Sequence, residues 1–335
     1  MLISQTPYRV SFAGGGTDLK AFYGSEYGAV LSAAVNQHMY VTVSPRFDET
    51  VRVSYTRTEI TDGIEPIQHE IVREALRLTG LSKHIEVTTI GDVPAGTGMG
   101  SSSSLTVGLL QALYAFRGDI VPTHRIAEEA CRIEIDILGK PIGKQDQYAA
   151  AFGGLNYIRF EPDGSVDVEP VPCRVETIER LEAGILMFYT QQQRDADDIL
   201  KKQSAGTADK MTVLRQMRDL ADEMRRQLSG PGNLDEFGRL LHEGWELKRS
   251  LGFGISNQGI DDWYQAARKA GALGGKLLGA GGGGFLMVFA EPEHHGAIRE
   301  ALGRPRELAF ELDRRGSRII FISDHQTLIR DPGSA

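Results

Sequence analysis

Cysteine is scarce: the chain carries only Cys131 and Cys173 in 335 residues. Two isolated thiols give no disulfide framework and no metal-ligand spacing, so both read as reduced thiols of a cytoplasmic protein. Long apolar runs are missing as well, and none approaches the roughly 20 residues of a membrane span. The opening Met1-Leu-Ile-Ser-Gln-Thr-Pro7 lacks the basic and apolar regions of a signal peptide. Positive charge is in deficit, with 37 Lys and Arg against 45 Asp and Glu and a net charge of −8. That balance argues against nucleic-acid binding as the main role, while a local cluster could still hold a small anion. Repeats, coiled-coil heptads and low-complexity tracts are also absent. What remains is 41% hydrophobic residues, enough for a large core and, by length, two domains.

The richest stretch is Asp92-Val-Pro-Ala-Gly-Thr-Gly-Met-Gly-Ser-Ser-Ser-Ser104. Alternating glycines let the backbone turn tightly and expose its N–H groups. A helical apolar pattern (Leu105, Leu109, Leu113) follows at once, and its start adds unpaired N–H donors and partial positive charge. Together they make a socket for an anion, most often phosphate. A flexible Gly/Ser linker is the bland alternative, but the strand-like His84–Ile90 before it and the helix after it place the loop inside a domain. No lysine follows the glycines, which excludes a P-loop. The G-x-G-x-G spacing and the missing downstream acid exclude a Rossmann fingerprint.

The rest of the chain mixes strands and helices. Met39–Ser44 and Thr50–Tyr55 alternate with period two and suit a hairpin. Helical spacing covers Ile67–Leu78 and Pro122–Leu138. Leu155–Phe160 and Val166–Val171 flank a Pro-Asp-Gly turn as a second hairpin. Gly184–Thr190 reads as a buried strand, and Asp195–Lys248 as mostly helical with a break at Ser229–Asn233. A helix over Asp261–Ala270, a strand over Phe285–Ala290, a helix near His294–Leu302 and a strand over Arg318–Ser323 complete the pattern. A domain change is expected between Glu169 and Glu182, giving units 1–175 and 176–335. These patterns alone yield mixed α and β.

Pro94 to Ser103 resembles the second signature of the GHMP kinases (galactokinase, homoserine, mevalonate and phosphomevalonate kinases). Two further stretches resemble the others: Pro7-Tyr-Arg-Val-Ser-Phe-Ala-Gly-Gly-Gly-Thr-Asp18 and Lys276-Leu-Leu-Gly-Ala-Gly-Gly-Gly-Gly-Phe285. Three signatures in family order span nearly the whole chain. The resemblance implies an α+β, two-domain GHMP kinase fold with a ribosomal S5 domain 2-like N-terminal domain and a ferredoxin-like C-terminal domain. It also implies ATP and Mg²⁺ as cofactors, with ATP held by Pro94, Gly96, Gly98, Gly100, Ser101, Ser102 and Ser103.

Glu134 to Gln147 resembles the galactokinase segment in which an acid on a helix precedes Gly-x-x-Asp-Gln. On that match Glu134 and Ser102 would hold Mg²⁺, which takes few protein ligands. Asp146 would face the acceptor hydroxyl, orient it and finally accept its proton, because phosphoryl transfer depends mainly on alignment and charge neutralisation. Arg9 is the expected cation beside Asp146, with Lys144 the second candidate. Gly14, Gly15, Gly16, Thr17 and Asp18 would line the acceptor site, together with Gln147, Arg194, Gly281 and Gly282. Galactokinases carry Glu and His where Gly15 and Gly16 stand, so the pocket here should be roomier and suit a bulkier or more anionic acceptor.

Within the family the chain looks most like the D-glycero-D-manno-heptose 7-phosphate kinases, which phosphorylate an anomeric hydroxyl. Such an acceptor needs a cationic or N–H-rich clamp for its distal phosphate. Lys144 and Arg194 are expected there ahead of Lys201, Lys202 and Lys276. An unphosphorylated sugar such as fucose or galactose is the alternative acceptor. A catalytically silent relative would lack Asp146 or Glu134, and both are present. The expected partners are therefore ATP and a small sugar phosphate, without nucleic acid or membrane, and a homodimer is the assembly to test.

Overall fold

The computed structural model describes residues 1–191, 199–201, 206–230, 232–252 and 254–323. Two sheets organise it. The first has eight strands in the order β12-β1-β2-β5-β3-β4, with β6 pairing to the earlier half of β2 on the edge that β5 takes further along, and β7 beyond β6. Here β1 is Leu2–Ala13, β2 Gly28–Pro45, β3 Val51–Ser54, β4 Thr58–Thr61 and β5 Ile85–Gly91. Strands β6 (Leu155–Phe160) and β7 (Val166–Pro170) form the hairpin expected around the Pro-Asp-Gly turn. From Thr6 to Ala13 every residue of β1 is buried, as befits a central strand covered on both faces.

The hairpin expected between Met39–Ser44 and Thr50–Tyr55 does not form. Strand β5 lies between them, antiparallel to β2 and parallel to β3, and β3 takes β4 as its hairpin partner. The connection after β2 is tied locally, Arg46 reaching Asp48 and Thr50 while its N–H donates to the His84 carbonyl. Both strands carry the period-two pattern, but pattern alone does not choose the neighbour.

The second sheet is antiparallel, in the order β11-β8-β10-β9: Glu307–Leu308, Ile185–Tyr189, Phe285–Phe289 and Gly274–Leu277. Helical crossovers join β8 to β9 and β10 to β11, which is the ferredoxin-like arrangement expected. In chain order the helices are α1 Lys20–Tyr23, α2 Glu70–Thr79, α3 Ser101–Arg117, α4 Thr123–Cys131, α5 Gln145–Phe152 and α6 Val175–Gly184. They continue with α7 Thr207–Ser229, α8 Leu234–Ser250, α9 Gln258–Lys269 and α10 His295–Ala301. Asn233 caps α8 and Asn257 caps α9, each side chain accepting an N–H of the first turn.

The strand β12 (Arg318–Ile322) returns to the first sheet and pairs with β1, so the chain crosses the 175/176 division a second time. A shared apolar core joins the two units: Tyr8, Val10, Phe12 and Leu31 pack with Phe237, Leu241, Met287 and Phe289. Phe12 meets Phe237 edge-on at 5.3 Å between ring centres. Each such fully buried side chain contributes about 1.5–3 kcal/mol, so the walls between the units are firmly held. Among the described residues, no helix is long and apolar enough to cross a membrane.

Candidate active site

A cleft of about 260 Å³ opens where the units meet, lined from the first unit by the glycine loop, Arg9, Asp146 and Glu134 and from the second by Lys248, Gly279 and Ala280. Its floor is the start of α3. This helix is buried around most of its circumference, and Ser4 fixes it by donating to the Gly108 carbonyl at 2.7 Å. Its N-terminus aims at the cleft. Gly100 stands at the cap position with φ +75°, a left-handed conformation that suits glycine, and supplies no side-chain cap. Ser104 N–H is the first to bond within the helix, to the Gly100 carbonyl. The N–H groups of Ser101, Ser102 and Ser103 are left for a ligand, with the positive end of the helix dipole behind them.

The other glycine loop closes directly on this one. A Cβ on Gly98 would lie 2.5 Å from the Leu278 carbonyl oxygen, and one on Gly279 would lie 2.5 Å from Gly98 Cα. The two loops touch backbone to backbone, so the phosphate socket is built from both units.

Arg9 and Asp146 form the centre of the cleft. Arg9 Nε and Nη2 donate to the two carboxylate oxygens of Asp146, each at 2.7 Å, and Nη1 donates to the Gly98 carbonyl at 2.7 Å. This bidentate fork fixes both groups in one geometry. The Arg9 side chain is 5% exposed and that of Asp146 21%, so the carboxylate is the member that faces incoming substrate. Asp146 sits in the first turn of α5, and a Cβ on Gly100 would come within 3.2 Å of its Oδ2. The anion socket and the carboxylate therefore share one space.

Glu134 lies beside them on a π-helical turn, Arg132–Ile137, that continues α4. Such turns are wider than an α-helix and frequent at functional sites. Glu134 is fully buried; Ser102 Oγ donates to one of its oxygens at 2.5 Å and Gln147 Nε2 to the other at 2.7 Å. Burial pushes its carboxyl above the usual range, against the hydrogen bonds from Ser102, Gln147 and Ser103. Among the described residues no cationic side chain pairs with it. A buried carboxylate beside a hydroxyl, lacking a cation, is a donor set that fits a hard divalent ion which keeps most of its water and phosphate ligands.

Of the expected acceptor residues, Gly15, Gly16 and Asp18 line the cleft. Asp18 accepts from the N–H of Gly16 at 2.8 Å, and burial raises its carboxyl above the ordinary range. Gly14 and Thr17 stand behind the wall. The Thr17 hydroxyl bonds Gly14 and Ala29 backbone atoms, clamping the loop to β2. Gln147 is buried behind Glu134 and supports that residue instead of lining the cleft. Gly281 and Gly282 pack on Ile255, with the Gly282 N–H donating to its carbonyl, while their neighbours Gly279 and Ala280 line the wall. Pro94 is exposed at the loop entry, where its carbonyl accepts from Thr97. Arg194 and Lys202 lie outside the described residues.

Two expected cations point elsewhere. Lys144 Nζ donates to the Gly164 carbonyl at 2.5 Å and covers the Tyr23 ring, because its place just before α5 turns it away from Asp146. Lys276 is buried against β1 and donates to the Ser11 carbonyl at 2.6 Å. Lys201 is exposed. The structure adds one cation that the sequence did not single out. Lys248, from α8, reaches the cleft and donates to the Gly279 carbonyl. Burial, then the nearby Arg9, push its ammonium down to about 8.

The sequence matches the GHMP kinases N terminal domain family over residues 68–154 and the GHMP kinases C terminal family over residues 217–306. It is 30% identical over 328 residues to a D-glycero-alpha-D-manno-heptose 7-phosphate kinase of Campylobacter jejuni, covering 92% of this chain and 96% of that one. A galactokinase of Thermotoga maritima is 24% identical over 343 residues, with 92% of this chain and 95% of the relative covered. The fold also matches the crystal structure of a D-glycero-D-manno-heptose 1-phosphate kinase from Bacteroides thetaiotaomicron, with a TM-score of 0.79 and 26% identity over 96% of this chain and all of that one. GHMP kinases use ATP, and the amide-lined loop opposite a carboxylate suits that chemistry. The chain belongs to the GHMP kinases, phosphotransferases that act on an alcohol acceptor.

Proposed function

We propose that the chain is a sugar-1-kinase whose acceptor is D-glycero-D-manno-heptose 7-phosphate, converted by ATP to the 1,7-bisphosphate on the way to an activated heptose for surface polysaccharide. One observation carries the reading: the Arg9–Asp146 pair abuts Gly100, at the mouth of the α3 amide socket, within a single cleft. The triphosphate tail lies on the N–H groups of Ser101–Ser103. Asp146 orients the acceptor hydroxyl and takes its proton as the new phosphorus–oxygen bond forms and the bond to the ADP oxygen breaks. Arg9 holds the carboxylate in place by its bidentate fork. Glu134 and the Ser102 hydroxyl would hold Mg²⁺, which would neutralise charge on the nucleotide phosphates.

The heptose phosphate is favoured by the likeness to the Campylobacter enzyme across nearly the whole chain. The unfilled space beside Gly15 and Gly16 supports a large acceptor. Neither glycine brings a side chain into the cleft, and a Cβ on Gly15 would have no neighbour closer than 3.8 Å. The deciding assay offers Mg-ATP with heptose 7-phosphate, the same heptose without its phosphate, fucose and galactose, and identifies products by phosphorus NMR. The expected result is a 1,7-bisphosphate from the phosphorylated heptose alone. Equal turnover of the dephosphorylated heptose, or preference for fucose or galactose, would refute the assignment.

A further inference from the structure

Phosphoryl transfer brings several negative charges into the cleft, yet the cations around it are nearly all committed. Arg9 spends its guanidinium on Asp146 and the Gly98 carbonyl. Lys144 and Lys276 serve backbone carbonyls away from the cleft. Lys140, at the rim, pairs with Glu70 at 2.6 Å. Lys248 differs: it is 6% exposed and lines the cleft, and its one hydrogen bond to the described residues goes to the Gly279 carbonyl. An ammonium carries three donors. Among the described residues two are thus left without an acceptor in a buried place, where an unmet donor is costly. Gly279 backs onto Gly98, so this ammonium stands at the junction of the two glycine loops.

We infer that Lys248 binds the terminal phosphoryl group of the nucleotide and stays with it as it moves to the acceptor oxygen. The inference rests on the kinase reading of the cleft. In the step, the bond from the terminal phosphorus to the bridging oxygen breaks and that electron pair leaves with ADP. The acceptor oxygen bonds to phosphorus and its proton goes to Asp146. Charge is spread over the equatorial phosphoryl oxygens during transfer, and a preorganised cation shielded from water stabilises it strongly. Lys248 comes from the second unit, whereas the α3 amides and Asp146 come from the first. The phosphoryl group is therefore gripped from both sides, and the contact of the two glycine loops sets the grip.

The same residue predicts a pH profile. Arg9 on β1 and Lys276 on β9 face it with positive charge, and Asp18 and Asp146 face it with negative charge. Burial dominates and lowers its titration to about 8. The charged form is present below that value and is lost as pH rises through it, so nucleotide grip should weaken on the alkaline side. Arginine stays charged throughout.

The test compares wild type, K248M and K248R for binding of ADP and of AMP-PNP, each with Mg²⁺, by titration calorimetry from pH 6.5 to 9.5. In K248M, AMP-PNP should bind about tenfold more weakly with ADP unchanged, and kcat should fall by about 10²–10³-fold, as for loss of one charge-stabilising donor. K248R should recover part of the preference for AMP-PNP and lose the alkaline decline. The wild-type AMP-PNP preference should itself shrink above about pH 8, a readout independent of how the variants fold. Equal loss of ADP and AMP-PNP affinity, no loss of either, or a change confined to the acceptor KM would overturn the inference. The nucleotide contrast needs no acceptor, so a sugar panel without turnover would sink the acceptor assignment while this result still decides the role of Lys248.

Discussion

Replacing Gly98 with alanine tests whether the two glycine loops act as one socket. Gly98 has φ +80°, which costs an alanine about 1–2 kcal/mol. Its new Cβ would also meet the backbone of the opposite loop, 2.5 Å from the Leu278 oxygen, 2.8 Å from its carbonyl carbon and 3.1 Å from Gly279 N. No flexible side chain is there to yield, so the loops must part, at about 1–3 kcal/mol for an overpacked contact. Gly96 supplies the control. It has φ +77°, and a Cβ there meets nothing within 4 Å, so G96A carries the backbone term alone. The clash term converts to a loss of roughly 5-fold to 140-fold in kcat/KM for ATP, since 1.4 kcal/mol is a factor of about ten. Steady-state kinetics with varied ATP should therefore rank wild type above G96A and G96A well above G98A. G279A, which presses the contact from the other side, should resemble G98A. Equal kinetics for G96A and G98A would refute the claim that the loops jointly form the site.

Two further outcomes follow from the buried acids. Glu134→Gln keeps the shape that Ser102 and Gln147 grip but removes the charge, so the Mg²⁺ midpoint for turnover should rise about 10–100-fold; an unchanged magnesium titration would remove Glu134 from metal binding. Asp313 accepts from His38 at 2.6 Å and from Arg318 at 3.1 Å, near the start of the returning strand. Burial alone would raise its carboxyl, but the bonds from His38, the Arg315 N–H and Arg318 bring it below the usual range. A carboxylate depressed in the folded state stabilises above its unfolded value, about 3.9, and loses that contribution as pH falls through the folded value. Thermal unfolding of wild type should thus fall on acidification below about pH 4, and Asp313→Asn should be less stable at pH 7 with a shallower acid decline. Parallel curves for the two proteins would contradict this.

Much of the site was legible because its chemistry is carried by short local patterns. The glycine–serine run before an apolar helix presents backbone N–H groups at the helix start, and Asp146 and Glu134 occur in a recognisable segment. Tertiary packing decided the rest. Lys144 stands two residues from Asp146, yet the turn into α5 sends its side chain to Gly164. Thr17 and Gln147 neighbour cleft residues but spend their polar groups on Ala29 and Glu134. Lys248 lies in a helix rich in charged residues, where a solvated face is the ordinary reading; its burial against Gly279 sets it apart. A turn toward Lys248 was visible in the apolar pattern of α8, had its position been projected on the buried face with Leu241 and Trp245. In the fold, period-two patterns located strands but not their neighbours, which is why β5 displaced the expected hairpin.

The central claim is that the amide socket at α3 holds the nucleotide while Asp146 serves the acceptor across the same cleft. Asp146→Asn tests it most directly, with AMP-PNP affinity and turnover measured on one preparation whose folding is checked by thermal unfolding. The account predicts intact nucleotide binding and a kcat lowered by about 10²–10⁴-fold, the usual loss when a positioned proton acceptor is removed. Turnover equal to wild type, or nucleotide binding lost together with turnover in a folded protein, would contradict it.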